Sequence, residues 1–253
     1  PPYSLAVGSN AGDGLALAEA AHATVDADSH QSAGFWTPVS VTKRDDGTEG
    51  LFPHLAMDRA KPGLVAVNAA GRRFVNEGVS YHDFVEAMYR SHETVDTMPA
   101  WLVCETRFIT KYGLGAIHPE TLNLTKYIRN SYLTVADTLD ALAGKIGVDP
   151  AGLRDSVARH NGFALAGVDE DFGKGDLELN RFNGDPAHRP NPCLAPIEAA
   201  PFAAMAVWPA EIGCSVGLST DPDCRVLDGD NRPIEGLYAC GNDMGSVMSG
   251  AYP

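Results

Sequence analysis

The chain has 253 residues, 44% of them hydrophobic, enough to bury a sizeable core in one large or two smaller domains. Its 33 Asp and Glu against 19 Lys and Arg give a formal charge of −14, which disfavours nucleic acid, because neutralising phosphates takes clustered cations. The longest apolar run, 199–208, is interrupted by Pro201 and is about half the length a bilayer crossing needs, so no membrane span is indicated. Five cysteines, at 104, 193, 214, 224 and 240, form no CxxC pair and are odd in number; neither a metal site nor a disulfide framework is expected, and a reducing cytoplasm fits best.

In chain order, residues 12–25 read as a packing helix with Asp13 near its start and Leu15, Leu17, Ala18 and Ala21 on one side. From Phe35 the pattern turns to short β-rich runs, WTPVSV at 36–41 and GLVAVN at 63–68, and Gly71 permits a hairpin turn before RFVN. Phe84, Val85 and Met88 have helical spacing within 81–92. A short buried strand at 101–104 runs into a polar helix carrying Arg107 and Lys111. Thr134 with Asp137 three residues on suggests a helix start, with Leu139, Leu142 and Ile146 as its buried stripe and Gly147 as its stop. Asp149 followed by Pro150 starts a second helix that reaches about Ala166, completing a helical hairpin. The stretch 167–196 is rich in Asp, Gly, Asn and Pro and reads as an irregular surface loop, long enough to be a candidate lid. β character returns at 202–208, 225–227 and 236–240, with a turn at DGDN between the last two.

Several separated stretches belong together: NAGDGLALAEAA at 10–21, GRRFVNEGVSYHDF at 71–84, WLVCETRFITKYGLG at 101–115, GLSTDPDCRVLDGDNRPIEGLYACGN at 217–242, and the tail GLYACGNDMGSVMSGAYP at 236–253. In this order they resemble the fumarate reductase and succinate dehydrogenase flavoprotein family. The SY and AYP patterns and the VDEDFGKGD loop place the resemblance nearest its 3-ketosteroid 1-dehydrogenase branch. No GxGxxG occurs, and the tail stops at Tyr252 and Pro253, where such enzymes continue with a Gly-rich turn and a helix; a C-terminal fragment that holds FAD poorly by itself is expected.

The resemblance implies an α+β fold in which a catalytic cap domain, 36–205, is inserted into a Rossmann-like FAD-binding domain, of which 1–35 and 206–253 are pieces. The cofactor would be FAD and no metal, and the partner a small-molecule ketone or steroid. Dehydrogenation beside a ketone needs a base for the carbon-bound proton and hydrogen-bond donors at the developing enolate, and tyrosines can serve both roles. By resemblance Tyr81 is the proton-abstracting tyrosine, or else a half-buried tyrosine opening a helix. Tyr252 is the donor to the ketone oxygen, or else packing at a turn. Arg107 sits where the fumarate-reducing branch carries a proton-donating arginine; a structural ion pair with Glu105 or Asp83 is the other reading. Gly241, Asn242, Ser246 and Val247 are carried over as flavin contacts, whereas residues 12–14 contact FAD or only allow close helix packing. A family TxGG segment reads here Cys214, Ser215, Val216, Gly217, so Val216 puts a β-branched side chain where backbone approach to the flavin is expected.

Three functions compete: FAD-dependent dehydrogenation of a 3-ketosteroid-like or other cyclic ketone, fumarate reduction or succinate oxidation, and an inactive catalytic-domain fragment or binding module. A dicarboxylate calls for Arg and His on both its charges. The family's histidine before the GG pair is Cys214 here and its late arginine is absent from the tail, which counts against dicarboxylates.

Overall fold

The computed structural model describes residues 1–26, 34–44, 46–55 and 57–248. The architecture is α+β, and the chain divides into two compact units, 3–36 with 210–253, and 37–209. The smaller unit opens with β1 (Tyr3–Ser4), α1 (Asp13–Ala20) and β2 (Val25–Asp26). Next come β3 (Gly34–Lys43), β4 (Glu49–Pro53), β5 (Leu64–Val67), α2 (Tyr81–His92), β6 (Ala100–Glu105) and α3 (Thr106–Tyr112). α4 (Thr125–Arg129), β7 (Thr134–Ala136), α5 (Leu139–Ile146), α6 (Pro150–Ala166), α7 (Glu178–Asn183) and β8 (Phe202–Cys214) follow. β9 (Gly217–Leu218), β10 (Arg225–Leu227) and β11 (Pro233–Tyr238) complete the smaller unit.

The larger unit is built on a sheet in which β4, β3, β8, β6 and β5 are successive neighbours, with β7 also pairing β8. β6 runs antiparallel between β5 and β8, matching Val103 to Val65 of β5 on one side and Leu102 to Met205 of β8 on the other. β5 is buried at every position, as expected of a strand covered on both faces. Val65, Val67 and Val103 pack against Leu142 and Ile146 of α5 and Leu153 and Val157 of α6, so the helical hairpin closes the core.

Local chemistry sets the helix limits. Ser80 caps α2 by accepting the Asp83 amide at 3.1 Å, and Asp149 caps α6 by accepting the Gly152 amide at 2.7 Å, with Pro150 in the first turn. Gly147 and Gly167, both left-handed, end α5 and α6. The helix expected to start at Thr134 starts instead at Leu139, capped by Thr138, whose hydroxyl accepts the Ala141 amide. Thr134 and Val135 pair with β8 as strand, Thr134 opposite Ala204: the β-branched pair has a sheet edge to join, which outweighs a local capping pattern. The first helix is shorter than the expected 12–25, because His22 takes a left-handed φ of 63° and the chain turns into β2. At Gly71, φ 67°, the turn forms, but only one bridge, Val67 to Arg73, crosses it, so no hairpin follows. A Cβ at Gly71 would sit 2.6 Å from the Asp149 carbonyl oxygen, because the N-terminus of α6 rests on this turn.

The stretch 167–196 is not a loose lid. It contains α7, and its polar side chains point inward: fully buried Lys174 donates to the Leu64 carbonyl at 2.8 Å, and buried Asn180 donates to the Gly78 carbonyl at 2.6 Å. Lys61 holds the Gly184 carbonyl from outside at 2.7 Å.

Candidate active site

In the smaller unit a cleft of about 760 Å³ opens between residues 5–15, the end of β8 and the Asn242–Asp243 turn. The N-terminus of α1 faces it: Gly12 precedes the helix in a left-handed conformation and no side chain caps the first turn. Of the expected flavin contacts, Asn242 lines the cleft; Gly241, Ser246 and Val247 do not, while Asp243, not foreseen, does. The 241–246 segment is nevertheless held in place, since Leu218 bridges Met244 and the Ser246 amide donates to the Ser215 carbonyl at 2.8 Å. The Ser246 hydroxyl accepts the Met248 amide, and Val247 is exposed. Cys214 and Val216 both line the cleft. Tyr252 lies outside the described residues.

The charge lining this cleft decides what it can hold. Among the described lining residues Asp13, Glu211 and Asp243 are acidic and none is cationic, and the rest are apolar, small or amide-bearing. Uncapped helix amides and Asn242 can donate to a ring edge, and the carboxylates can accept from hydroxyls. Such a lining suits an uncharged, hydroxyl-bearing aromatic ligand such as the ring and ribityl portion of FAD, and the volume lies in the usual range for small-molecule sites. A dianionic ligand is disfavoured there.

In the larger unit Tyr81 is the first residue of α2, half-buried, directly after the capping Ser80. The positive end of the helix dipole favours negative charge at that position. Next to it His82 is buried, with Nε2 3.6 Å from the Glu86 carboxylate. Arg107 stands in the first turn of α3, exposed, and donates through Nε and Nη2 to the Glu105 carboxylate. Glu105 is itself buried and accepts the Glu198 and Ala199 amides, each at 2.6 Å. Of the two ion pairs weighed for Arg107, the one with Glu105 forms. A second cavity of about 350 Å³ is edged by Arg107, Lys111, Tyr112 and His188, and Tyr81 is not among its lining residues.

Two buried polar groups escaped the sequence reading. Arg73 donates to both Glu77 oxygens at 2.8 and 2.9 Å and to both Asp169 oxygens at 3.0 and 2.8 Å, and Lys174 stands 3.4 Å from Glu77. Burial opposes the charge on Glu77, but Arg73 and Lys174 outweigh it and hold its carboxyl well below the usual range. Beside them His160 is pushed down to about 4 by burial and by the Lys174 and Arg73 charges. The second group is a chain, Tyr132 to Ser40 at 2.6 Å, Ser40 to His54 Nε2 at 2.7 Å and His54 Nδ1 to Asp58 at 2.5 Å. Its order is that of a hydrolase triad, but Ser40 and His54 are fully buried and the Tyr132 oxygen already accepts the Ala116 amide, so it ties β3 to the 113–116 turn and offers no nucleophile. Residues that meet across 92 positions leave no local pattern to find them by. Cys104 and Cys193 are buried, with their thiols pushed up by desolvation, and are inert. Among the described residues no group of His, Cys, Asp or Glu could hold a metal ion, and no helix is long and apolar enough to cross a membrane.

The family model described as an FAD binding domain matches residues 2–253. The chain belongs to this FAD binding domain family. It is 39% identical over 242 residues to 4-oxocyclohex-2-ene-1-carboxylate 5-dehydrogenase of Sinomonas cyclohexanicum, covering 96% of this chain and 41% of that protein. It is 33% identical over 250 residues to 3-oxosteroid 1-dehydrogenase of Mycolicibacterium smegmatis, covering 96% and 42%. Among solved structures it superposes with a TM-score of 0.89 and 38% identity on 3-ketosteroid delta1-dehydrogenase from Sterolibacterium denitrificans in complex with 1,4-androstadiene-3,17-dione, over 99% of this chain and 44% of that one. The chain thus spans about two fifths of the length of the curated relatives it matches. The family membership and the α+β fold of this flavoprotein group are those expected from the motifs, and the two relatives named above are dehydrogenases named for ring ketones.

Proposed function

We propose that this chain serves an FAD-dependent dehydrogenase that places a C=C bond next to a ring ketone, with a 3-ketosteroid-like substrate. The observation that carries the reading is the likeness, over nearly the whole chain, to a ketosteroid dehydrogenase solved with a steroid dienone. Residues 1–35 and 206–253 serve as the flavin-binding part and 36–205 as the catalytic part. The cleft lined by Asn242 receives the uncharged portion of FAD, and Gly241, Ser246 and Val247, outside its lining, belong to the segment that continues from Asn242 and are kept as flavin contacts.

Bound FAD supplies the acceptor for a hydride leaving the carbon beyond the one next to the carbonyl. Tyr81 takes the proton from the carbon next to the carbonyl, and that C–H electron pair becomes the second bond of the C=C. Its place at the N-terminus of α2 favours the phenolate it must carry beforehand. Tyr252 donates to the ketone oxygen and stabilises the developing enolate. Arg107, paired with Glu105 through Nε and Nη2, keeps further donors at the rim of the second cavity, where a proton-donating role is the alternative to a structural ion pair. Cys214, standing where the family carries a histidine, supports a ketone over fumarate or succinate.

A second reading is favoured by the 39% identity to a dehydrogenase named for an oxocyclohexene carboxylate: a single-ring keto acid as substrate. Anaerobic titration of the whole FAD-loaded protein separates the two. Bleaching of the flavin absorbance by a 3-ketosteroid supports the steroid reading; bleaching only by 4-oxocyclohexanecarboxylate replaces it with the keto-acid reading; bleaching by neither refutes ring-ketone dehydrogenation.

A further inference from the structure

Three successive carbonyls lead into Tyr81, those of Glu77, Gly78 and Val79, and each is taken by a buried side chain. Arg59 Nη1 donates to Glu77 O at 2.6 Å and Nη2 to Val79 O at 3.2 Å, while Asn180 Nδ2 donates to Gly78 O at 2.6 Å. The same guanidinium reaches back to its own segment, through Nε to His54 O at 3.0 Å and through Nη2 to Leu55 O. Its Cζ lies 4.6 Å from the ring centroid of Phe84, three residues beyond Tyr81 on α2. Arg59 is fully buried. Burial lowers it to about 10, with Asp58 and Glu77 as the nearby charges that oppose this fall. Neither carboxylate is spent on it: Asp58 is bound by His54, and Glu77 by Arg73 and Lys174.

A buried cation is costly, and a chain needing only core volume there would do better with an apolar side chain. What an arginine adds is a rigid fork of donors that can satisfy several carbonyls of irregular backbone at once. Residues 76–80 are such a backbone, outside any ladder, and they end on the residue that caps the helix of Tyr81. We propose that Arg59 is the positioning residue for Tyr81, fixing the backbone just before it and the Phe84 ring one turn after it, so that the phenol is held against the substrate carbon. Asn180 completes the hold on the carbonyl between, and it leaves no room for a side chain at Gly78, where a Cβ would lie 2.8 Å from its amide nitrogen.

The proposal rests on Tyr81 as base, and the test separates the two. In the whole FAD-loaded protein, Arg59→Lys keeps the charge but loses the fork, and Phe84→Leu removes only the ring beneath it. A misplacement of about 1 Å costs on the order of 100-fold in rate. Arg59→Lys is therefore expected to lower kcat per bound flavin by roughly 10- to 100-fold with KM within about threefold. Substrate deuterated next to the carbonyl should show a larger isotope effect than in the parent, and Phe84→Leu should move the same readouts to a smaller degree. A merely structural arginine would reduce the amount of folded, flavin-loaded protein and leave kcat per flavin and the isotope effect unchanged. That result in Arg59→Lys overturns the proposal, as does the same result in Phe84→Leu where Arg59→Lys does not retain flavin. Parent-like turnover in Tyr81→Phe removes Tyr81 as base and the proposal with it, whereas a dead Tyr81→Phe beside a parent-like Arg59→Lys sinks only the positioning role.

Discussion

Replacing Glu77 by Gln tests the buried cluster that anchors the 167–196 segment. Two cations, Arg73 and Lys174, face two carboxylates, Glu77 and Asp169, and all four side chains are essentially withdrawn from water. The substitution keeps the shape and one acceptor for the Ala66 amide, which Glu77 binds at 3.1 Å, but leaves one positive charge unmatched. Removing one partner of a buried pair costs about 3–5 kcal/mol. For a unit of this size each kcal/mol moves Tm by about 2–4 °C, so a fall of roughly 6–20 °C is expected by calorimetry or circular dichroism. Adding Lys174→Met restores the balance, and the double variant should lose less than the two single losses added. The pH dependence has a definite sign. The Glu77 carboxyl is held below its ordinary 4.5 in the folded state, so its pairing stabilises fully above that value and is lost as pH falls through the folded pKa. Glu77→Gln should therefore flatten the acid limb of the stability curve below pH 4.5. A Tm loss under about 2 °C, or strictly additive single and double variants, would refute the charge-balance reasoning.

His160 gives a second window. Its folded pKa of about 4 lies below the ordinary 6.5, so between these values the unfolded chain binds more protons and stability rises with pH. The shift corresponds to about 3 kcal/mol, lost as pH drops from 6.5 toward 4, and denaturant titrations should show this slope disappear in His160→Gln; an identical slope in the variant rejects it. Gly71→Ala forces a Cβ into a left-handed residue and against the start of α6, and a combined loss of roughly 2–5 kcal/mol is expected from urea unfolding. Parent-like stability would show that the turn can move. In the whole protein Tyr81→Phe should abolish turnover, by about 100-fold or more, while the flavin spectrum stays intact, and undiminished turnover would exclude Tyr81 as base.

Much of the helix map was legible because its determinants are local. Asp149-Pro150, Gly147, Gly167 and the apolar spacing of α2 act within a turn or two, so α2, α6 and the end of α5 fall where the residues indicate. Thr134 misled because a capping pattern does not reveal that β8 offers a partner 70 residues away in sequence. The 167–196 segment has the composition of a solvent loop, yet Lys174, Asn180 and Asn191 are buried, each satisfied by carbonyls of other segments or of its own turn.

By itself the sequence determined the motifs that announce an FAD binding domain, the helix caps, and the presence of Tyr81 at the head of a helix, since these depend on neighbours along the chain. Only the tertiary structure decided that Arg107 spends its fork on Glu105, that the cleft beside Asn242 is acidic, and that Arg59 and Asn180 together hold the carbonyls leading to Tyr81. A buried donor finds its acceptor in whatever backbone folding brings beside it, and for Arg59 that backbone lies 18 and 20 residues away.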